Sequence, residues 1–484
     1  MILKSIVIAL YALMIITVGV IGLRRTRSFS DFFLGGGQVG AWMTAFSYAA
    51  SYFSAVLFVG FAGKIGWGFG LSALWIAAGN VLVGVLAVWW LLGFRIKQLA
   101  TSYGVHTMPE FFEKRYGSRF LKLFCAIAVF VFFVPYSSAV FMGLSYLFQS
   151  NFNIPYPAAL IAMGFFTALY MVLGGYKSMA MIDVIFGMIM VVGVCILLGF
   201  TLYEGGGRAQ IAADLAAIDE RLAGPVGPPG WWPLFCLVFL TSVAPFGMPQ
   251  LIQKFYAIKD RQAVRVGMVA STCFAALIGA VAYFTGATTR LFITPASAPD
   301  IFEAGKPMFD RLMPELLANV IPEGLSVLML LLVLSASMST LAALVLLSSS
   351  AVAKDFYAGF INPRASDAQL TRLMRGLSAL FIVVSIVLAA LELETIVAIL
   401  GISWGAIGSV FLGPFMWGVF SQRAHRSGAL GSALLGLGTC LLLYGVFRRP
   451  SPEAGTIGML VSLAVTPIVS WLVPTRDRTA AVRS

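Results

Sequence analysis

Ala244-Pro245-Phe246-Gly247-Met248-Pro249 stands inside an apolar run covering residues 232–253. A run of that length crosses a bilayer as a helix. Two prolines and a glycine within six residues oppose a continuous one, because each proline removes a backbone donor and collides with the preceding turn. Broken backbone at membrane depth is tolerated only where it lines a cavity or is buried in protein. A kink that serves packing alone is the other reading, since proline is common in membrane helices. A second irregular stretch lies five spans earlier: Ser47-Tyr48-Ala49-Ala50-Ser51-Tyr52-Phe53-Ser54-Ala55, flanked by Gly40 and Gly60. Two irregular spans five apart are what a pair of five-helix inverted repeats produces, with the first helix of each repeat discontinuous and the binding site between them.

The rest of the chain fits that frame. It has 484 residues, 60% hydrophobic and only 11% charged, too little charge to cover a soluble surface. We expect an all-α polytopic membrane protein with thirteen spans: about 5–23, 41–62, 70–92, 121–149, 156–173, 181–203, 232–253, 265–290, 323–353, 373–391, 394–420, 429–447 and 455–473. With the N-terminus outside and the C-terminus inside, 23 of the 32 Lys and Arg face the cytoplasm, Lys254, Lys259, Arg261 and Arg265 among them. The net charge of +12 therefore reports topology rather than nucleic-acid binding. The first run is long and precedes its Arg cluster, so it reads as a retained helix and not a cleaved signal. Cys125, Cys195, Cys236, Cys273 and Cys440 all sit in apolar runs and read as buried hydrophobes, with no disulfide or metal framework. No phosphate-binding loop occurs. His106 and His425 lie in loops and no span carries a nucleophile with a base, so enzyme chemistry is not expected.

Leu334-Ser335-Ala336-Ser337-Met338-Ser339-Thr340 places four hydroxyls inside an uncharged apolar run. Ser339, Thr340 and the carbonyl of Ala336 share one helical face, because residues three and four apart are neighbours. Such an oxygen cluster suits a bare monovalent cation. Back-bonding of each hydroxyl to its own helix is the alternative. Asp183 is the only acid that can be placed within a span, near its cytoplasmic end. It reads either as solvated or paired with Lys177, or as an ion-release or proton-coupling carboxylate.

Several motifs carry a family resemblance. Phe33-Leu34-Gly35-Gly36, Ala50-Ser51-Tyr52-Phe53-Ser54 and Gly60-Phe61-Ala62-Gly63 resemble the sodium:solute symporter family. So do Gly174-Gly175-Tyr176 through Asp183, Phe246-Gly247-Met248-Pro249-Gln250, and Ser339-Thr340 followed by Ser348-Ser349-Ser350-Ala351 and Lys354-Asp355-Phe356-Tyr357. The proline and pantothenate branch is the most similar. The resemblance covers roughly residues 30–420 and implies the LeuT-like 5+5 inverted-repeat fold. One helix precedes the core (residues 1–30), the repeats occupy 31–203 and 204–420, and two accessory helices with a tail occupy 421–484. Carried over, the sodium site uses the carbonyls of Ala50, Phe53 and Ala336 and the hydroxyls of Ser339 and Thr340. Tyr48, Ser51, Ser54, Thr241, Gln250 and Trp404 are candidates to line the solute cavity.

Departures from the family narrow the expectation. Proline symporters resembling this chain carry an Asp where Tyr52 stands and aromatics at Thr241 and Pro245, which argues against proline. Sugar members carry Glu-Gln at Val56 and Leu57, which argues against a sugar. Members with a second sodium site use hydroxyls where this chain has Ala342 and Ala343, so one sodium per cycle is expected. The resemblance implies sodium-coupled symport of a small amino acid or carboxylate across the inner (cytoplasmic) membrane by alternating access. It further implies the lipid bilayer and the solute as partners, no nucleic acid, and a monomer. Proton coupling through Asp183, or a channel or sensor without coupled transport, are the rival readings.

Overall fold

The computed structural model describes residues 2–25, 33–173 and 176–472. Gly174, Gly175, Arg27 and the tail beyond residue 472 lie outside the described residues, as does the side chain of Lys177. The described chain is almost wholly helical, apart from a two-residue hairpin pairing Phe302–Glu303 with Lys306–Pro307.

The spanning helices are α1 (Ile2–Arg25), α2 (Ala41–Tyr52), α3 (56–69), α4 (71–103), α5 (Arg119–Phe152), α6 (Tyr156–Leu173), α7 (Tyr176–Glu204), α8 (Trp231–Val243), α9 (Pro249–Ala257), α10 (Arg261–Phe292), α11 (Glu323–Ile361), α12 (Asp367–Ala390), α13 (Ile396–Phe420), α14 (Arg426–Gly445) and α15 (Ser451–Leu472). Helices α2 with α3, and α8 with α9, are the two halves of broken spans, which makes thirteen passes. By length and apolarity alone, eleven helices among the described residues qualify as spans. The difference has two causes. Val56–Tyr103 runs through a single break at Gly70, whose φ of 58° and ψ of −140° lie outside helical backbone. The apolar part of α6, Tyr156–Ala168, is short.

Packing follows an inverted repeat. Helix α5 packs on α13, and five passes along, α11 packs on α7. The pair α5–α6 is matched by α11–α12, and the contact of α2 and α3 with α10 is matched by that of α8 and α9 with α4. Helix α1 lies against α6 and α7, and α14 and α15 cover α13. Close approach is bought with glycine: a Cβ on Gly66 would collide with the Gly286 carbonyl carbon, so α3 and α10 touch backbone to backbone.

Three expectations change. Lys254 is not a loop charge; it is fully buried on α9, because this half-helix turns inward after the break. Asp355 is also buried within a span, because α11 continues to Ile361. Cys195 and Cys273 are exposed, as the apolar outer face of a membrane protein allows, while Cys125, Cys236 and Cys440 are buried.

Candidate functional site

The first break needs neither proline nor glycine. Phe53 donates the last helical hydrogen bond of α2, to Ala49 O, and then adopts extended backbone at φ −109° and ψ 109°. Ser54 restarts the chain as a cap: its Oγ accepts from Val56 N–H at 3.2 Å and its carbonyl from Leu57 N–H at 3.0 Å. Ala55 N–H turns away from its own helix and donates to Ser337 Oγ of α11 at 3.0 Å. The Ala50 and Ser51 carbonyls consequently face α11.

Thr340 Oγ1 sits among those carbonyls, 3.3 Å from Ala50 O, 3.4 Å from Ser51 O and 3.2 Å from Ala336 O. Ser339 Oγ is fully buried without a hydrogen-bond partner among the described residues. Ser337, which anchors Ala55, is occupied by donating to Val333 O. An orphaned hydroxyl beside freed carbonyls is a donor set with the chemistry of a sodium site, since a hard cation is held by neutral oxygens. Of the five residues expected at that site, Ala50, Ala336 and Thr340 meet directly. Ser339 is next to Thr340 in sequence, and Phe53 is the turning residue.

The second break runs through a tight turn at Ala244–Phe246, with Met248 extended and Pro249 opening α9. Proline at that first helical position loses no intrahelical bond. Gly247 is dictated by contact: a Cβ there would lie 2.8 Å from Leu412 Cα of α13. The inner ends of both broken spans are tied together, since Val39 N–H donates to Ala257 O and Lys259 N–H to Val39 O, each at 3.0 Å.

Between the breaks lies a cavity of about 30 Å³ lined by Tyr52, Phe53, Ser54, Val56, Leu57, Phe61, Asn80, Tyr136, Thr241, Tyr283, Leu400 and Trp404. Ser54, Thr241 and Trp404 were expected there. Tyr48, Ser51 and Gln250 are placed outside the lining. Tyr48 donates to Gly84 O and packs on Trp89 and Phe255, while Ser51 Oγ and the Gln250 amide are buried without partners among the described residues. Sequence reasoning missed Asn80, Tyr136 and Tyr283, which come from α4, α5 and α10. Tyr52 donates to Thr241 O at 2.6 Å, bridging the two broken spans, and Trp404 contacts both Tyr52 and Tyr136. No charged side chain is among the lining residues.

Asp183 is not solvated. It is fully buried on α7, and Lys254, Ser47 and Ser339 are its neighbours.

Comparison with known proteins agrees with this architecture. The pattern of the sodium:solute symporter family matches residues 32–436. A sodium/proline symporter of Haemophilus influenzae is 30% identical over 88% of this chain and 85% of its own length. A sodium/pantothenate symporter of Escherichia coli is 28% identical, covering 85% of this chain and 84% of its own. A substrate-bound, outward-open Na+-coupled sialic acid symporter superposes with a TM-score of 0.81 at 17% identity, covering 97% of both chains, and shares the fold. Such relatives are transporters, not enzymes. The chain belongs to the sodium:solute symporter family and couples movement of a small solute across a membrane to sodium.

Proposed function

We propose that sodium is bound by the carbonyls of Ala50, Phe53 and Ala336 with the hydroxyls of Ser339 and Thr340, and that the solute binds in the adjoining aromatic cavity. The observation that carries this reading is Thr340 Oγ1 held among three carbonyls from two helices, beside the orphaned Ser339 hydroxyl. Those oxygens surround one cation only while α2 and α11 are apposed, so the ion favours one of the two arrangements that alternating access requires. Moving one charge through 100 mV supplies about 2.3 kcal/mol before any concentration term.

An uncharged lining with hydroxyl, amide and indole groups suits a compact amino acid or carboxylate. The relatives' named solutes, proline and pantothenate, are both carboxylates. Space of about 30 Å³ holds one or two waters, so the lining must open for a solute to enter. The reading includes one sodium per cycle, the N-terminus outside, a monomer in the cytoplasmic membrane, and repeats at 31–203 and 204–420. Ser339→Ala with Thr340→Ala tests it: sodium-driven uptake in proteoliposomes is abolished while the protein remains monodisperse. Uptake that stays sodium-dependent overturns the assignment. Proton coupling through Asp183 is tested separately, because an Asp183→Asn variant that accumulates solute under a sodium gradient excludes it.

A further inference from the structure

The sodium oxygens leave one charged pair in the membrane interior unexplained. Lys254 is fully buried on α9, its Nζ donating to Ser47 Oγ of α2 at 2.8 Å and standing 5.1 Å from the centre of the Tyr176 ring. Asp183 faces it from α7, fully buried, with neither carboxylate oxygen in hydrogen-bonding geometry among the described residues. Ser47 neighbours both charges, accepting from Lys254 and lying beside Asp183. Ser339 is the other hydroxyl next to the carboxylate. Four helices (α2, α7, α9 and α11) therefore meet around one acid and one amine, a step away from the proposed sodium oxygens.

A buried carboxylate that stays ionised needs a cation close by, since its desolvation is otherwise uncompensated. A free cation at Asp183 would need several further oxygens; on the turn of α11 after Ser339 and Thr340, Ala342 and Ala343 are fully buried and offer none, so only Ser335 of α11, beside Tyr11 of α1, adds a hydroxyl on that side. The Lys254 ammonium already lies within electrostatic reach. We propose that Lys254 is a tethered second cation: its ammonium neutralises Asp183 through Ser47 and takes the place a second sodium would fill. A tethered charge is not released to the other side, so each cycle carries the single sodium bound at Ser339 and Thr340. The proposal rests on that sodium assignment.

The test uses the full-length protein with thermal unfolding, sodium titration and reversal-potential measurements. Lys254→Gln and Asp183→Asn each leave one buried charge unmatched, and each lowers the unfolding midpoint by about 5 °C or more. The double variant removes both charges and returns to within about 2 °C of the parent. If the single variants fail to fold and the double variant folds, the pairing is equally supported. Additive losses, or a double variant no better than the singles, overturn it. A triple variant, Lys254→Ser with Ala342→Ser and Ala343→Ser, frees Asp183 and supplies hydroxyls. Its sodium titration steepens from a Hill coefficient near one toward two, and the charge moved per solute doubles. A folded triple variant that keeps the parent's sodium response overturns the substitution idea. The underlying assignment fails differently: sodium stabilisation of the parent then survives Ser339→Ala with Thr340→Ala, whatever the Lys254 and Asp183 variants do.

Discussion

The two broken spans reach the same shape by opposite means. The break between α8 and α9 is written into its residues, with Pro245 in the turn, Pro249 opening the next helix and Gly247 against the backbone of Leu412. The break between α2 and α3 holds no proline or glycine, and its deviant hydrogen bond is donated to Ser337 of another helix. One break is intrinsic, encoded locally by the prolines in and after its turn. The other is conditional, because Ala55 N–H has an alternative acceptor only while α11 is alongside. A conditional break is the one an ion can report on. Its freed carbonyls are those that surround Thr340. The outer half, α3, is held in addition by the 309–320 segment, where Asp310 accepts from Ile396 N–H at the start of α13.

Four measurements break or sharpen that contrast. Gly247→Val strikes the intrinsic break where it touches backbone, and we expect a loss of about 3 kcal/mol, seen as a lower unfolding midpoint with poor recovery. An unchanged midpoint would show that α13 yields at Leu412. Ser337→Ala strikes the conditional break by orphaning Ala55 N–H, at a cost of about 1–3 kcal/mol. Because the proposed sodium oxygens are freed only in the broken form, we expect the half-saturation for sodium to rise about tenfold, with Ser337→Thr restoring it; a normal sodium affinity would make the two breaks equivalent.

Asp310 gives a pH test of the outer clamp. Burial pushes its carboxyl up to about 6, while the Ile396 N–H and Lys64 oppose that shift. An acid raised on folding binds its proton more tightly in the native state, so its stabilising contribution is complete below the usual carboxylate range and is lost as pH rises through about 6. The wild type should unfold below Asp310→Asn at pH 8 and close that gap, by at least about 2 °C, toward pH 5. A gap independent of pH would remove Asp310 from the clamp. Pro245→Ala carries the smallest effect, about 0.4–1 kcal/mol, because Gly247 and Pro249 retain the break. Loss of sodium dependence in that variant would show the second break to be conditional as well.

Much of this was legible in the sequence. Thirteen apolar runs, two irregular ones five apart, and a hydroxyl stretch lead to the fold and to the oxygens around Thr340 without any contact information. The cavity was only half legible. Ser54, Thr241 and Trp404 stand on the irregular spans or the last core helix, where attention falls naturally. Asn80, Tyr136 and Tyr283 stand on regular helices, and one polar or aromatic residue in a regular span carries no signal that it faces a cavity. Gln250 and Tyr48 misled for the converse reason: each adjoins a break, but the helix turns its side chain into protein.

By itself the sequence determined that this is a polytopic helical membrane protein with an intrinsic break in its seventh span and a neutral oxygen cluster in its ninth. Those follow from local chemistry: proline lacks a donor, a bilayer demands about twenty apolar residues, and hydroxyls three or four apart share a face. Only the tertiary structure decided that Lys254, one residue past an apolar run, is buried opposite Asp183, and that the break after Phe53 is held by an Ala55 N–H donated to Ser337 of another helix. Whether a charge at a span's end meets water or another helix, and whether an N–H leaves its own helix for a serine, depends on partners more than seventy residues away along the chain.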